Sequence, residues 1–357
     1  MSEAVGGAGE LMRAPHARPV FWRGLLVPFS LAYTGVVELR NLYYQQVKTA
    51  ARSAGVPVIS VGNITVGGTG KTPLTIEIVR RLRAMGRQPA ILTRGYGAVA
   101  GQTADEVLEY ELTVPDVPVV VDSNRVRGAE VALTQHTADC LVLDDGFQHR
   151  RLRRALDIVL IDALNPWAGG WLLPAGGLRE PLTNLRRAHW ILLTRSNQVE
   201  PNMVQDVMAL LQGYAPQATI IKTAVEGEHL LDMAGAERDV KELADRRILP
   251  VCGIGNPQSF LDLVERLNGI AVDALIFADH HRYSDADVEK IKQAARRQNV
   301  EWVVTTRKDW VKLSTLWSTS SAETGDVELL RLDTRMVLAD ARGGFDRALQ
   351  GLFEESE

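Results

Sequence analysis

Three absences narrow the reading before any motif is consulted. Cysteine is nearly missing: Cys140 and Cys252 are the only two in 357 residues, far apart and without ligand spacing. That excludes a disulfide framework and a thiolate metal cluster, and it fits two reduced core thiols of a cytosolic protein. Charge of one sign is also missing. With 40 Lys and Arg against 44 Asp and Glu, the formal charge is -4, whereas a nucleic-acid binder needs a strongly basic domain or stripe. Nor is there an apolar run of the roughly 20 residues that cross a bilayer. The nearest thing is the uncharged stretch Gly24–Val37, which follows Phe21-Trp22-Arg23, contains Pro28 and ends at Glu38. Residues 1–20 have no apolar core and do not read as a signal peptide. An aromatic pair beside an arginine, ahead of an apolar face, is the composition of a helix lying in a membrane interface. A helix packed on the protein's own core fits the same residues.

What is present is an ordinary globular composition, 46% hydrophobic and 24% charged, long enough for two domains. Short β-branched runs at Val56–Val61, Pro89–Thr93, Val117–Val121, Cys140–Leu143, Ile158–Ile161 and Trp190–Leu193 read as strands, with helical patterns between several of them. The alternation predicts an α/β protein with a mostly parallel sheet covered on both faces. It continues through Thr219–Thr223, Ile248–Gly253, Ala274–Phe277, Trp302–Thr305 and Val327–Leu332, and Ser284 caps a helix to about Arg297. The expected organisation is a membrane-associating segment over 1–50, a core over 51–200, a smaller α/β domain over 201–335, and a C-terminal helix over 336–357 that returns to the core.

The most informative segment is Gly62-Asn63-Ile64-Thr65-Val66-Gly67-Gly68-Thr69-Gly70-Lys71-Thr72-Pro73. A strand, a glycine-rich turn, Lys-Thr and a helix form a phosphate-cradling arrangement. Glycines let backbone N–H groups converge on phosphate oxygens, and the helix start adds partial positive charge. Thr65, Val66, Gly67, Gly68, Thr69, Gly70, Lys71 and Thr72 are therefore the candidate nucleotide-binding residues. Lys71 would reach the β- and γ-phosphates, and the Thr72 hydroxyl would ligate Mg²⁺. Thr65 stands where the strict pattern has glycine. Val66 stands where dimeric partition-type ATPases carry a signature lysine.

Phosphoryl transfer also needs carboxylates. The strand Cys140–Leu143 runs straight into Asp144-Asp145-Gly146, placing acid at the strand's C-terminal end, where ligands bind in open α/β sheets. Asp105-Glu106 reads as part of a loop after the strand ending at Thr93, and Asp279-His280-His281 follows the strand Ala274–Phe277. A histidine paired with a distant carboxylate could orient a base. The run His149-Arg150-Arg151-Leu152-Arg153-Arg154 reads either as a hold for an anionic head group or lipid surface, or as a solvated basic turn.

In this order the pieces resemble the tetraacyldisaccharide 4'-kinases. The resemblance runs through Val61–Pro73, Thr93-Arg94-Gly95-Tyr96-Gly97, Asp105-Glu106 and Asp144-Asp145-Gly146-Phe147-Gln148-His149. It continues through Leu173-Pro174-Ala175-Gly176, Leu178-Arg179-Glu180, Phe277-Ala278-Asp279-His280 and Thr306-Arg307-Lys308-Asp309. It implies a P-loop NTPase-type fold and a kinase using ATP and Mg²⁺ to phosphorylate a lipid A disaccharide precursor, forming lipid IVA. By the same resemblance the enzyme sits peripherally on the cytoplasmic face of the Gram-negative inner membrane, with no nucleic acid and no obligate protein partner. It implies Asp105 as base with His280 as its partner, Lys71 and Asp145 as further catalytic residues, and Glu106 and Asp144 as Mg²⁺ ligands beside Thr72. Arg94, Tyr96, Arg125, His149 and Arg179 would lie near the lipid head group. One departure is Ala104, where the family usually has a glycine before the acidic pair. The competing class is a P-loop nucleotide switch or metallochaperone, which the missing signature lysine and the lack of a Cys/His cluster disfavour.

Overall fold

The computed structural model describes residues 20–47, 50–95, 104–319 and 327–354, the side chains of 20–23 and 319 excepted. Two compact units emerge. Residues 20–95, 114–224 and 338–354 form the first, and 104–113 with 225–337 the second.

The first unit carries β1 (Val58–Asn63), β2 (Pro89–Thr93), β3 (Val119–Val121), β4 (Cys140–Asp144), β5 (Leu156–Asp162), β6 (Trp190–Thr194) and the start of β7 (Thr219–Leu231). Their spatial order is β7-β6-β5-β1-β4-β2-β3, and every pairing is parallel. Each residue of β1, β2, β4 and β6 is buried, as expected of strands covered on both faces. Because β1 lies between β4 and β5, its following loop leaves the sheet where the strand order reverses, the place where such sheets bind ligands.

The helix Lys71–Ala84 buries Leu74, Ile78, Val79 and Leu82, and Gly86 follows it at φ +76°, where glycine alone is unstrained. Its Arg81 reaches Glu77 and Asp346. Asp346 belongs to the helix Gly344–Glu354, whose Phe345 packs edge-on against Trp190 at 5.3 Å.

The second unit holds the rest of β7 with β8 (Glu237–Arg238), β9 (Arg247–Cys252), β10 (Ile270–Ala271), β11 (Leu275–Ile276), β12 (Trp302–Thr306) and β13 (Glu328–Leu338). The order is β10-β9-β12-β13-β7, with β11 beside β9 and β8 antiparallel on β7. Alternate residues divide between two cores. Ile248, Cys252, Trp302, Val304, Leu330 and Leu332 pack with the helix Pro257–Arg266. Leu249, Val251, Val303 and Leu329 pack with the helices Asp285–Arg297 and Arg307–Thr319. The period of two puts successive side chains on opposite faces, so both faces are covered. Ser284 closes a full capping box with Asp287.

The mostly parallel α/β architecture is the one expected, but several elements differ from the sequence reading. Thr219–Thr223 extends to a 13-residue strand, and Ala274–Phe277 shrinks to Leu275–Ile276. The pair Asp105-Glu106 is not in a loop: it opens the helix Asp105–Thr113. Acidic residues favour a helix's first turn because they meet its partial positive charge. Pro28 does not interrupt the N-terminal helix, which runs unbroken from Val20 to Gln46. An interior proline costs about 3 kcal/mol, and tertiary contacts described below hold the helix through it.

Candidate active site

In the first unit the glycine-rich loop is tied down at several points. Gly67 and Gly70 have φ of +110° and +94°, values that a side chain would strain. The Asn63 amide donates to the Thr69 hydroxyl at 3.1 Å, and Gln148 donates to the Asn63 carbonyl at 2.8 Å. The Val66 N–H is bonded to the Gly177 carbonyl at 2.8 Å, so it is not among the amides left to face phosphate. Arg195 donates to the Gly68 carbonyl and pairs with Asp162, linking the ends of β5 and β6 to the loop.

The acids at the end of β4 play different parts. Asp144 is buried in line with the end of β1, opposite Val61. Asp145 adopts φ +52° and turns its carboxylate to two cations, Arg179 at 2.7 Å and Lys71 at 3.6 Å. Burial acts to raise the Asp145 pKa, but the positive charges of Lys71 and Arg179 outweigh it and hold the group below the usual range.

Arg125 is 1% exposed, and its guanidinium donates to the carbonyls of Asp122 and Asp144. It therefore braces the end of β4 and presents no surface to a head group. Burial, with nearby Arg94, lowers its pKa to about 10. His149 is partly buried, and its Nε2 has no hydrogen-bond partner among the described residues. Burial and then Arg125 and Arg94 push it down to about 4. Arg94 is exposed. Tyr96 lies outside the described residues.

The second unit brings together residues 175 positions apart. Asp105 Oδ2 accepts from His280 Nδ1 at 3.0 Å and from Lys312 Nζ at 2.5 Å. Burial would raise the Asp105 pKa, but Lys312 and then His280 bring it below the ordinary carboxylate range. His280 stands at φ +60°, a conformation uncommon outside glycine. Its Nε2 faces Lys308 Nζ at 3.4 Å and Asp279 at 3.8 Å. Nδ1 is the ring nitrogen that faces the Asp105 carboxylate, where it can act only as a donor, because an ionised carboxylate only accepts.

The surrounding turn is pinned by Asp309, which accepts from the Gly253 N–H, the Tyr283 hydroxyl and the Thr306 hydroxyl at 2.9, 3.0 and 2.6 Å. Burial, and then the Asp309 charge, raises the Tyr283 pKa, so that hydroxyl stays a donor. Glu106 sits on the same helical turn as Asp105.

A match to the tetraacyldisaccharide-1-P 4'-kinases, LpxK, extends over residues 22–353. The chain belongs to this family. It is 38% identical over 319 residues to the tetraacyldisaccharide 4'-kinase of Syntrophus aciditrophicus, covering 81% of this chain and 84% of that one. It is 33% identical over 309 residues to that of Halothermothrix orenii, covering 79% and 80%. Among solved structures, LpxK from Aquifex aeolicus in complex with ATP superposes with a TM-score of 0.73 at 28% identity, over 93% of this chain and 99% of that one.

For an LpxK-family chain, the donors near the loop suit a hard divalent cation. The Thr72 hydroxyl and the Asp144 carboxylate offer oxygen donors, the chemistry that Mg²⁺ prefers, and Mg²⁺ takes few protein ligands because it keeps phosphate oxygens and water in its shell.

Two features were not legible from motifs. The first is Lys312, which lies just past the Thr306–Asp309 motif and carries no signature of its own. The second concerns the basic run. Arg150 is engaged with the Asn41 carbonyl and the Tyr44 ring, and Arg154 pairs with Asp157. Only Arg151 and Arg153 are exposed, so half of the run is structural.

The N-terminal helix turns polar side chains to the protein and leaves many apolar ones exposed. Several of its polar residues face the protein: Ser30 donates to the Leu172 carbonyl and accepts from the Ala175 N–H, and Tyr33 donates to the Arg179 carbonyl. Arg40 and Asn41 meet the fully buried Glu180, which Arg187 also neutralises. Its apolar residues Leu25, Phe29, Leu31, Val36 and Leu39 are exposed. No helix among the described residues is long and apolar enough to cross a membrane.

Proposed function

We propose that this protein transfers the γ-phosphoryl group of ATP to the 4'-hydroxyl of a tetraacylated glucosamine disaccharide 1-phosphate, giving the 4'-phosphorylated lipid A precursor and ADP. The observation that carries this reading is the Asp105–His280 pair. A nucleotide switch has no use for a base held by a histidine, whereas a kinase must take a proton from its acceptor.

In this reading the 4'-oxygen bonds to the γ-phosphorus as its proton passes to Asp105 and the bond from the γ-phosphorus to the bridging oxygen of ADP breaks. Lys71 and the amides of Gly67–Thr72 hold the triphosphate. Asp145 and Arg179 set the position of Lys71 through their shared ion pairs. Thr72 and Asp144 would hold Mg²⁺, which would supply charge neutralisation at the phosphates. Arg125 acts through Asp144, and Arg94, Arg179 and His149 remain the candidates to meet the anionic head group.

The N-terminal helix supports peripheral attachment to the cytoplasmic face of the inner membrane. A row of exposed apolar side chains stabilises the bound state by dipping into the acyl boundary, and the acceptor lipid resides in that same layer.

The test is incubation of the purified protein with γ-labelled ATP, Mg²⁺ and the disaccharide lipid. Label in the lipid phase, dependent on acceptor, is the expected result. Acceptor-independent release of labelled phosphate with none in the lipid would favour a nucleotide switch instead.

A further inference from the structure

We propose that Lys312 is a positioning residue for the phosphoryl-transfer step, fixing the Asp105 carboxylate so that Oδ1, and not Oδ2, takes the acceptor's proton. The proposal rests on the reading of Asp105 as the base and goes beyond it by naming the oxygen and the group that selects it.

The geometry is specific. Both donors to Asp105, Lys312 Nζ at 2.5 Å and His280 Nδ1 at 3.0 Å, converge on Oδ2. Among the described residues Oδ1 makes no hydrogen bond. A carboxylate has lone pairs on both oxygens. Loading one oxygen with a cation and an imidazole N–H leaves the other as the exposed acceptor and stops rotation about the Cβ–Cγ bond.

A histidine alone would give a hinge, since one hydrogen bond fixes a point and not an orientation. The second donor, from a different helix, supplies the missing constraint. Lys312 also donates to the His281 carbonyl at 3.4 Å. One ammonium group thus ties the helix Asp105–Thr113 to the turn that carries His280. The neighbouring Lys308 does not duplicate this, because its ammonium is taken by Asp279 at 2.8 Å and by His280 Nε2.

The side chain is placed for the purpose. Lys312 and Asp105 are only 17% and 18% exposed at their side chains, and their helices flank a groove lined by Leu108, Leu112, Trp310 and Val311. A partly desolvated ammonium that already has two acceptors holds its geometry better than a surface lysine does, because competing water is reduced.

The step balances without any added reactant. The oxygen–hydrogen bond of the acceptor breaks, the proton goes to Oδ1, and the acceptor oxygen gains the phosphoryl group that ADP loses. Lys312 and His280 keep their own protons throughout.

The test compares Lys312→Met, Lys312→Arg, Asp105→Asn and the double variant Lys312→Met/Asp105→Asn, all as full chains, by label transfer to the lipid. Lys312→Met should lower kcat by about 10- to 100-fold with KM for ATP and lipid within twofold, because misplacing a reacting group costs about that much. Lys312→Arg should recover most of the loss. In the Asp105→Asn background, removing the lysine should cost no further activity, since two residues acting through one carboxylate are not additive.

A full additional loss in the double variant, or a loss expressed in KM alone, would overturn the role of Lys312. Wild-type activity in Asp105→Asn by itself would instead overturn the reading of Asp105 as base, so the two failures are distinguishable.

Discussion

The two units hold an anionic side chain in the same way but assemble it differently. In the first, Asp145 lies between Lys71 and Arg179. Two of these three residues sit on segments a motif search finds, at the ends of buried, parallel, adjacent strands. In the second, Asp105 lies between Lys312 and His280, three residues drawn from a helix start, a second helix and a left-handed turn. The first arrangement is enforced by sheet register: Val61 opposite Asp144 places the loop beside the acids whatever the side chains do. The second depends on side chains of intermediate or greater exposure meeting through helix packing and the Asp309 hub. A carboxylate held by the sheet tolerates loss of one partner better than a carboxylate held by side chains alone.

The largest effect should come from Lys71→Ala. In the proposed function Lys71 acts on charge that builds as the phosphoryl group moves, and loss of one such group costs about 10²–10³ in kcat. Its fold should survive, because β1 and the helix Lys71–Ala84 are held by buried apolar residues. Label transfer and thermal unfolding measured on one preparation check both halves; transfer near wild type would remove Lys71 from the site. Arg179→Met sharpens the comparison from the other side. With one partner gone, Asp145 draws Lys71 more strongly, so KM for ATP should rise about tenfold, equivalent to about 1.4 kcal/mol, while kcat changes less. An unchanged KM would show that the sheet alone sets the position of Lys71.

The same contrast explains what was readable in the sequence. The phosphate loop, β4 with its terminal acids and the alternation of strands and helices are local patterns, and periodicity and glycine spacing report them directly. The assignment of residues 104–113 to the second unit is not local. No composition shift or linker marks it, and the segment sits between strands of the first unit. Lys312 is not legible for the same physical reason: a lysine on an amphipathic helix looks like solvated surface until the partner helix is placed. Arg125 shows the opposite case. An arginine near a site suggests anion binding, and only its burial and its bonds to the Asp122 and Asp144 carbonyls reveal a brace. The N-terminal stretch left two readings open because burial and membrane contact select the same residue types. The structure turns Ser30, Val37 and Asn41 inward and Phe29 and Leu39 outward.

That division of faces predicts a smaller and separable effect. Phe29 and Leu39 are 66% and 69% exposed, and Val37 is 3% exposed. Phe29→Ser with Leu39→Ser should weaken partitioning onto anionic vesicles at least tenfold, since each apolar side chain withdrawn from water is worth about 1.5–3 kcal/mol. Unfolding temperature and turnover of detergent-dispersed substrate should hardly change. Val37→Ser should do the reverse, lowering the unfolding temperature with little effect on partitioning. Vesicle sedimentation and thermal melts on both variants decide it, and equal effects from both would mean that the helix has no outward face.

The smallest effect tests whether the first unit's cations form one field. His149 is held neutral down to about pH 4 by burial and by the nearby guanidinium groups of Arg125 and Arg94, against an ordinary value near 6.5. Its folded pKa is depressed, so the unfolded chain binds the extra proton first as the solution is acidified. The stability it contributes is therefore fully present above about pH 6.5 and declines as the pH falls through that value towards about 4. Ring-proton NMR should show one histidine that does not titrate between pH 7 and 5, and the signal should vanish in His149→Gln. In that same variant, unfolding temperature should fall less steeply between pH 6.5 and 4 than in the parent. A His149 ring that titrates near 6.5 would mean that the site admits water around Nε2, and that the cations opposite it act singly.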